Sequence, residues 1–328
     1  MGEYIIGIDV GGTNIKMMAV DSKFKFVSSA SMETCSESGY EAVSDKIIQR
    51  LDEMLSGTGS AGRKVLSIGM GLPGTVDIKA QRTVYLAKLM WNGFNPCRKI
   101  ADHYRAPCFI DNDASMGVLG EYYFGNPERS RNIVMLTLGT GVGGGVVLND
   151  EVFRGAENLG AEFGHMIIVS DDGEECLCGR KGHFEAYCSG TALKRYALGR
   201  MSAEKQTVLH EYLAENGGVF DNAMVTKGFR ANDRLSREIW ERYIHYLSIG
   251  ISNIMMLFNP DKVLLGGGIS NAGKELLCDP VYEQAGRLVI DKRQHCPVEI
   301  SMLGSKAGMY GACAHAARGI GLRLHPIE

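Results

Sequence analysis

Residues 132–145, with the sequence Asn-Ile-Val-Met-Leu-Thr-Leu-Gly-Thr-Gly-Val-Gly-Gly-Gly, decide the fold class of this chain. An apolar run stops at Gly139, and a second apolar run follows the glycines at 146–148. The pattern predicts a strand, a glycine turn and a second strand, with backbone N–H groups that can bind a phosphate. The glycines also satisfy the dinucleotide fingerprint G-x-G-x-x-G, but that fingerprint requires a helix after the turn. Here a β-rich run ends at Asn149-Asp150, which is hairpin chemistry, so the Rossmann interpretation fails.

The same arrangement occurs once earlier, where residues 4–20 have the pattern of a strand, a glycine turn and a strand. Its Gly12-Thr13 aligns with Gly139-Thr140, which indicates two related halves of the chain. The first copy carries Asp9 where the second has an apolar residue, so only the first turn can place a carboxylate near a metal–phosphate group. Two such turns suit a nucleotide, because each can hold a different phosphate.

Composition limits the classes of partner. The formal net charge is −3, and the sequence contains no long run of charged residues of one sign. Both features argue against nucleic-acid or anionic-membrane partners. A membrane span needs about 18 consecutive apolar residues, and no apolar stretch is that long. The N-terminus lacks a signal-peptide pattern. Nine cysteines, an odd number scattered along the chain, indicate a reducing compartment rather than a disulfide framework. A cytoplasmic protein is expected.

Hydrophobic periodicity predicts alternating strands and helices along the chain. Strands are expected at 65–70, 107–110 and 263–265, and helices at 40–55, 91–104, 113–123, 236–258 and 306–317. The turn Gly71–Gly74 follows a strand, at the edge where α/β sheets bind their ligands. Gly125-Asn126-Pro127 interrupts the chain, and we place the domain junction there.

From Ile5 to Ala317 the chain resembles the ROK group (repressor, open reading frame, kinase) of sugar kinases. Six motifs stand in the family's order, and it is their order that makes the resemblance specific. They are Asp9-Val10-Gly11-Gly12-Thr13-Asn14-Ile15-Lys16 (D-x-G-G-T-x-x-K), Gly71-Leu72-Pro73-Gly74 (G-x-P-G), Asn112-Asp113 (the catalytic pair), Leu138–Gly145 (the second phosphate turn), Glu162-Phe163-Gly164-His165 (E-x-G-H) and 176–185 (C-x-C-G-x-x-G-C-x-E).

The resemblance implies a two-lobed, duplicated α/β fold of the ribonuclease-H-like type, as in actin and hexokinase. The first lobe would comprise residues 1–125 and 306–328. The second, 126–305, would carry a zinc- and sugar-binding loop and the surface of a homodimer. The implied cofactors are ATP, Mg²⁺ and a structural Zn²⁺.

Site residues also follow from the matched motifs. Asp113 is expected to act as the catalytic base. Sugar contacts are expected from Gly74, Asn112, Asp113, Glu162, His165 and Glu185. Nucleotide and magnesium contacts are expected from Asp9, Gly11, Gly12, Thr13, Asn14, Gly139, Thr140, Gly141, Gly143, Gly144, Gly267 and Gly268.

Each assignment competes with a plainer structural one. Asp113 follows a strand and opens a helix, where Asp or Asn is a favoured cap. Asp9 could simply end a strand before a turn. The glycine turns could be ordinary hairpins, although three successive glycines at 143–145 exceed what a hairpin needs, and close approach to a ligand would explain the excess.

His165, Cys176, Cys178 and His183 form a candidate metal site, because thiolate and imidazole ligands suit tetrahedral zinc. The family has a cysteine where this chain has His183. A histidine preserves the capacity to bind zinc. The alternative is that no metal binds here, in which case Cys176 and Cys178 are free thiols and His183 is a surface histidine. Bound zinc would hold the loop that carries Glu162 and Glu185.

The predicted function is ATP-dependent phosphorylation of a hexose hydroxyl, with the 6-OH of glucose as the expected acceptor. N-acetylglucosamine, N-acetylmannosamine, fructose or allose are alternatives, because they need the same chemistry and differ only in pocket volume. A sugar-responsive regulator is a second alternative, disfavoured because Asp9 and Asp113 are both present and no DNA-binding segment precedes Tyr4. An actin-like ATPase is a third, and it leaves the Glu162–Glu185 cluster unexplained.

Overall fold

A computed structural model describes residues 3–56, 64–86 and 89–324. The chain divides into two compact units. Unit 1 comprises Met1–Arg131, Gly145–Ala161 and Ser305–Glu328, and unit 2 comprises Asn132–Gly144 and Glu162–Gly304. The predicted lobe bounds stay a prediction; in this division, residues 126–131, 145–161 and 305 of the predicted second lobe belong to unit 1. The expected last segment, 306–328, is described only as far as Leu324.

Groups of strands and groups of helices follow one another along the described residues. The strands are β1 (Glu3–Val10), β2 (Asn14–Asp21), β3 (Phe26–Glu33), β4 (Lys64–Leu72), β5 (Thr75–Asp77), β6 (Arg82–Tyr85), β7 (Cys108–Asn112), β8 (Ile133–Leu138), β9 (Val142–Leu148), β10 (Glu151–Val152), β11 (Lys262–Gly266) and β12 (Val298–Ile300). The helices are α1 (Gly39–Ser56), α2 (Arg98–Tyr104), α3 (Asp113–Phe124), α4 (Glu185–Cys188), α5 (Gly190–Ala203), α6 (Leu209–Glu215), α7 (Ala223–Arg230), α8 (Arg234–Phe258), α9 (Asp279–Gly286) and α10 (Ala307–Gly319).

The sheet of unit 1 has the order β3-β2-β1-β4-β7. Strands β1 to β3 are antiparallel, and β4 and β7 run parallel to β1. Side chains alternate between the two faces of a strand. Ile6 and Ile8 therefore pack in one core with Ile47 of α1, while Ile5 packs on the other face with Met309 of α10. Burial on both faces explains why residues 4–8 of β1 include no charged side chain.

Helix α10 lies against the sheet of unit 1 at a distance that only glycine permits. A Cβ atom on Gly7 would lie 2.2 Å from the Met309 carbonyl oxygen, and one on Gly69 would lie 1.9 Å from that of Ala312. The last helix thus packs on the sheet of unit 1.

The second sheet has the order β10-β9-β8-β11-β12, in which β8, β11 and β12 are parallel and β9 and β10 are antiparallel. The first strand of each half therefore occupies the centre of its sheet, which confirms the predicted duplication. Within unit 2, helix α8 buries a stripe of apolar side chains at helical spacing. The stripe consists of Trp240, Tyr243, Leu247, Ile251 and Ile254.

The expectation of a helix at 91–104 was wrong in its first part. The predicted helix 91–104 begins only at Arg98, because Pro96 disfavours the helical conformation in the residue before it. Cys97 and Cys108 are joined by a disulfide, while the remaining described cysteines are free. Among the described residues, no helix is both long and apolar enough to cross a bilayer.

Candidate active site

The glycine turn between β1 and β2 is closed by hydrogen bonds. The Gly11 N–H donates to the Asn14 carbonyl at 2.9 Å. Thr34, which is buried, donates its hydroxyl to the Gly11 carbonyl at 2.7 Å and its N–H to the Thr13 carbonyl at 2.9 Å. Gly12, Thr13 and Asn14 remain exposed, so the turn is fixed in shape but accessible to a ligand. Sequence analysis missed Thr34, because an isolated threonine carries no signal.

Asp9 lies directly opposite Lys16 in the β1–β2 ladder. Burial raises the pKa of the Asp9 carboxyl, and the Lys16 charge lowers it in part. Gly308 of α10 packs against this carboxylate, since a Cβ there would lie 2.7 Å from its Cγ. A partly buried carboxylate next to a phosphate-type turn fits Mg²⁺, which prefers oxygen ligands and would favour the ionised form.

Asn112, rather than Asp113, occupies the N-cap position of α3. The Asn112 Oδ1 accepts hydrogen bonds from the N–H groups of Ala114 and Ser115 at 2.9 and 3.1 Å. Its Nδ2 donates to the Gly74 carbonyl at 3.0 Å, so two predicted sugar-binding residues are in contact. Asp113 is the first residue of the helix, and its Oδ1 accepts from the Ala114 N–H at 2.8 Å.

Beneath this pair, Asp111 forms a buried ion pair that sequence analysis missed. The Arg154 Nε and Nη2 donate to Asp111 Oδ2 at 2.9 and 2.6 Å, and the Asn112 N–H donates to Asp111 Oδ1 at 2.8 Å. The Asp111 side chain is 3% exposed. Arg154 therefore fixes the position of Asp111, which directly precedes Asn112 and Asp113 in the chain.

Replacing Arg154 by methionine is expected to reduce the free energy of unfolding by about 3–5 kcal/mol, because Asp111 would keep a buried, unpaired charge. Arg131→Met is the matched control. The Arg131–Asp150 pair has the same 2.6 Å separation, but its side chains are 63% and 41% exposed. Its loss should cost about 0–1 kcal/mol. Urea unfolding of both variants compares the two values, and equal losses would refute the positioning role of Arg154.

The glycine turn of unit 2, between β8 and β9, is held from the start of α5. The Gly139 N–H donates to the Gly141 carbonyl at 3.0 Å, and the Gly190 N–H donates to the Gly139 carbonyl at 2.7 Å. The Thr191 hydroxyl donates to the Thr140 carbonyl at 2.8 Å. As in unit 1, a threonine distant in sequence closes the turn.

A cavity of about 580 Å³ borders this turn, a size typical of small-molecule sites. Its walls combine apolar side chains with amides, a carboxylate and a lysine. They include Gly139, Thr140, Gly190, Thr191, Lys194, Asp221, Asn222, Trp240, Gly268, Ile269 and Asn271. The predicted Thr140 and Gly268 thus line one cavity, whereas Lys194, Asp221 and Asn222 had no sequence signal.

At positions 144, 145 and 267, packing within the protein requires a glycine. Gly267 has φ +87°, and a Cβ there would lie 2.5 Å from the Leu138 carbonyl oxygen. A Cβ on Gly144 would lie 2.3 Å from the Phe163 ring, and one on Gly145 would lie 2.5 Å from the Ala114 carbonyl oxygen. Contacts within the protein therefore require glycine at 144 and 145, where we had expected close approach to a ligand.

The four predicted metal ligands lie together in unit 2. One ligand atom from each of His165, Cys176, Cys178 and His183 lies within 4.8 Å of all the others. Cys178 Sγ and His183 Nδ1 are 3.3 Å apart, close to the separation of two ligands on one tetrahedral zinc. Burial, followed by the nearby His165, lowers the pKa of His183 and favours the neutral form that binds metal. The donor set fits zinc.

The predicted sugar-binding carboxylates of unit 2 adjoin these ligands. Glu162 Oε2 lies 3.5 Å from His165 Nδ1. Glu185 Oε1 lies 3.8 Å from Cys176 Sγ, and Glu185 Oε2 accepts a hydrogen bond from the Val142 N–H at 2.8 Å. A sugar or nucleotide site that combines residues of unit 1 with residues of unit 2 stays a prediction.

Comparison with known proteins matches this chain over nearly its whole length. A model described as the ROK family matches residues 5–318. The chain is 29% identical to a glucokinase of Halalkalibacterium halodurans, covering 94% of this chain and 93% of that protein. It is 32% identical to a glucokinase of Streptomyces coelicolor, covering 94% and 95%.

Among solved structures, one of a ROK family glucokinase from Streptomyces griseus, in complex with glucose and AMPPNP, is similar with a TM-score of 0.80. The sequence identity is 30%, and the match covers 96% of this chain and 100% of that one. This similarity confirms the predicted α/β fold class.

Proposed function

The chain belongs to the ROK family, and from this premise we propose that it is an ATP-dependent hexose kinase of the glucokinase type, which phosphorylates the 6-OH of glucose. The observation that carries the proposal is the cavity of about 580 Å³ beside the Gly139–Gly141 turn. A glycine turn with hydroxyl groups suits phosphates, and the adjoining mixed walls suit a nucleoside. The two glucokinases at 29% and 32% identity support the choice of substrate.

Asp113 is assigned the role of base. Phosphoryl transfer needs little covalent help from the protein, but a sugar hydroxyl attacks more readily when a positioned carboxylate accepts its proton. Asn112 occupies the N-cap position of α3, which supports a role for Asp113 in addition to its place in the first turn of the helix. Asn112 retains one amide hydrogen for a sugar hydroxyl, because its other donor bond goes to Gly74.

The donor phosphates are assigned to the two glycine turns. Asp9 and the 11–14 turn would hold the magnesium–phosphate end, with the 139–144 turn on another phosphate and Gly267-Gly268 on the adenosine side. Bound Mg²⁺ would neutralise phosphate charge. Both turns are fixed by threonine hydrogen bonds before any ligand arrives, which reduces the entropy lost on binding.

The remaining sugar contacts are assigned to Glu162, His165 and Glu185. Zinc on His165, Cys176, Cys178 and His183 would keep this loop in one conformation. An imidazole has two nitrogens, so His165 can bind metal with one and a hydrogen-bond partner with the other. A cytoplasmic homodimer without nucleic-acid or membrane partners is part of the proposal, on the family resemblance and composition.

A coupled assay of ADP release over a panel of sugars tests the substrate. We expect the highest kcat/KM for glucose, and lower values for fructose, allose, N-acetylglucosamine and N-acetylmannosamine. A site that hydrogen-bonds one set of hydroxyls discriminates against sugars that lack them or add bulk. A preference for either N-acetylhexosamine would replace glucose as the substrate while preserving the reaction class. Inactivity on every sugar would favour a regulator.

A further inference from the structure

Glu185 lies where three motifs of unit 2 meet. Its Oε2 accepts the Val142 N–H at 2.8 Å, directly after the glycine turn. A Cβ on Gly141 would lie 2.4 Å from the same oxygen. Gly164 of the E-x-G-H motif packs on both partners, since a Cβ there would lie 2.3 Å from the Val142 carbonyl oxygen and 3.5 Å from Glu185 Cβ. The carboxylate thus contacts the turn itself.

The other oxygen of Glu185 points to the metal-ligand cluster, where Oε1 lies 3.8 Å from Cys176 Sγ. Glu185 is the first residue of α4, and the residues from α4 to the start of α5 also supply Gly190 and Thr191, which hold Gly139 and Thr140. The turn is therefore held at its beginning by α5 and at its end by Glu185.

A carboxylate–backbone hydrogen bond is stronger than a neutral one, and Glu185 is partly buried, which limits competition from water. The glycines of this turn, Gly139 and Gly141, have no side chains that could fix its shape. Its ability to bind phosphate depends on where its N–H groups point, so the groups that hold its two ends determine that direction. The negative charge alone would oppose phosphate binding. Positioning and charge therefore have opposite effects on nucleotide affinity.

We propose that Glu185 is a positioning residue for the phosphate donor, which holds the 139–142 turn in its binding conformation in addition to the sugar contact assigned above. This inference rests on the proposed kinase function. It makes one carboxylate common to the sugar and nucleotide sites, so loss of Glu185 impairs nucleotide binding even when no sugar is present.

The test is the Kd of AMPPNP measured by calorimetry without sugar. Glu185→Ala is expected to weaken binding about tenfold, because the Val142 N–H loses its acceptor. Glu185→Gln keeps an acceptor and removes the charge, so it should bind as tightly as the wild type or more tightly. Zinc content is measured for each variant, so that a change at Cys176 is detected separately.

A double-mutant cycle with Gly141→Ala tests the contact directly. The added methyl group displaces the Glu185 carboxylate, so Gly141→Ala alone should also weaken AMPPNP binding, and the double variant should be no weaker than the weaker single one. If Glu185→Ala does not fold, Glu185→Asp replaces it, because the shorter side chain cannot reach Val142 and should weaken binding as well.

Unchanged AMPPNP affinity in the Ala or Asp variant, or fully additive effects in the cycle, would overturn the inference and leave Glu185 as a sugar ligand only. Failure of the proposed function is a different result. In that case the wild-type protein itself would not bind AMPPNP or would not phosphorylate any sugar.

Discussion

Replacing Asp113 by asparagine is expected to lower kcat for sugar phosphorylation by about 10²–10⁴-fold, which is the contribution of a positioned general base. The amide has nearly the same shape but cannot accept the hydroxyl proton. The Kd values for glucose and AMPPNP should stay within about threefold of wild type, because the loss lies in the transition state. Steady-state kinetics and calorimetry measure the two quantities.

Asp102→Asn is the matched control for this variant. Asp102 is an exposed acidic residue of α2 in unit 1, so the same chemical change there should leave kcat unaltered. If Asp113→Asn keeps kcat within about threefold of wild type, Asp113 is not the base. If it instead loses stability without a specific loss of kcat, its role is structural.

The second large effect is expected at the metal-ligand cluster. Cys178→Ser should release zinc from the purified protein and lower kcat/KM for the sugar by at least about 10–100-fold, since even partners of metal ligands contribute that much. The melting temperature should fall too, because a structural zinc contributes folding energy directly. Elemental analysis, sugar kinetics and thermal unfolding with and without a chelator measure these effects.

Cys35→Ser is the control for the loss of a thiol, because Cys35 is free and lies outside the cluster. It should leave zinc content and kinetics unchanged. The metal assignment would be contradicted if the wild-type protein contains no zinc and its melting temperature does not change when a chelator is added. The cluster would then consist of free thiols and imidazoles.

Local patterns were sufficient where one stretch determines its own structure. The two glycine turns, the central strands β1 and β8 and the stripe of α8 all follow from periodicity or turn chemistry within a few residues. The metal-ligand cluster could also be predicted, because Cys176, Cys178 and His183 are close in sequence and His165 belongs to a neighbouring motif.

The helix predicted at 91–104 shows where local periodicity misleads. The apolar residues Cys97 and Ile100 are buried at helical spacing, but Pro96 prevents a continuous helix over 91–104, and the backbone before it forms turns. The Trp91 carbonyl accepts a hydrogen bond from the Thr83 hydroxyl, and the Phe94 carbonyl accepts one from the Thr83 N–H, instead of from helical N–H groups.

Contacts between distant residues were beyond the sequence. Arg154 reaches Asp111 across 43 residues, and Thr34 reaches Gly11 across 23. The residues next to an arginine or a threonine in the sequence do not indicate which distant group its side chain will bind. The same is true of Glu185, whose motif suggested a sugar ligand and whose bond to Val142 appears only in the fold. Sequence motifs thus identified groups that can carry the chemistry, and the fold identified those that position them.

The most direct test of the kinase assignment is ADP release from ATP and Mg²⁺ with and without glucose, with the sugar product identified by ³¹P nuclear magnetic resonance. The account predicts that ADP release requires glucose and that each ADP formed is matched by one glucose 6-phosphate. ATP hydrolysis at a rate indifferent to sugar, with inorganic phosphate as the product, would contradict it.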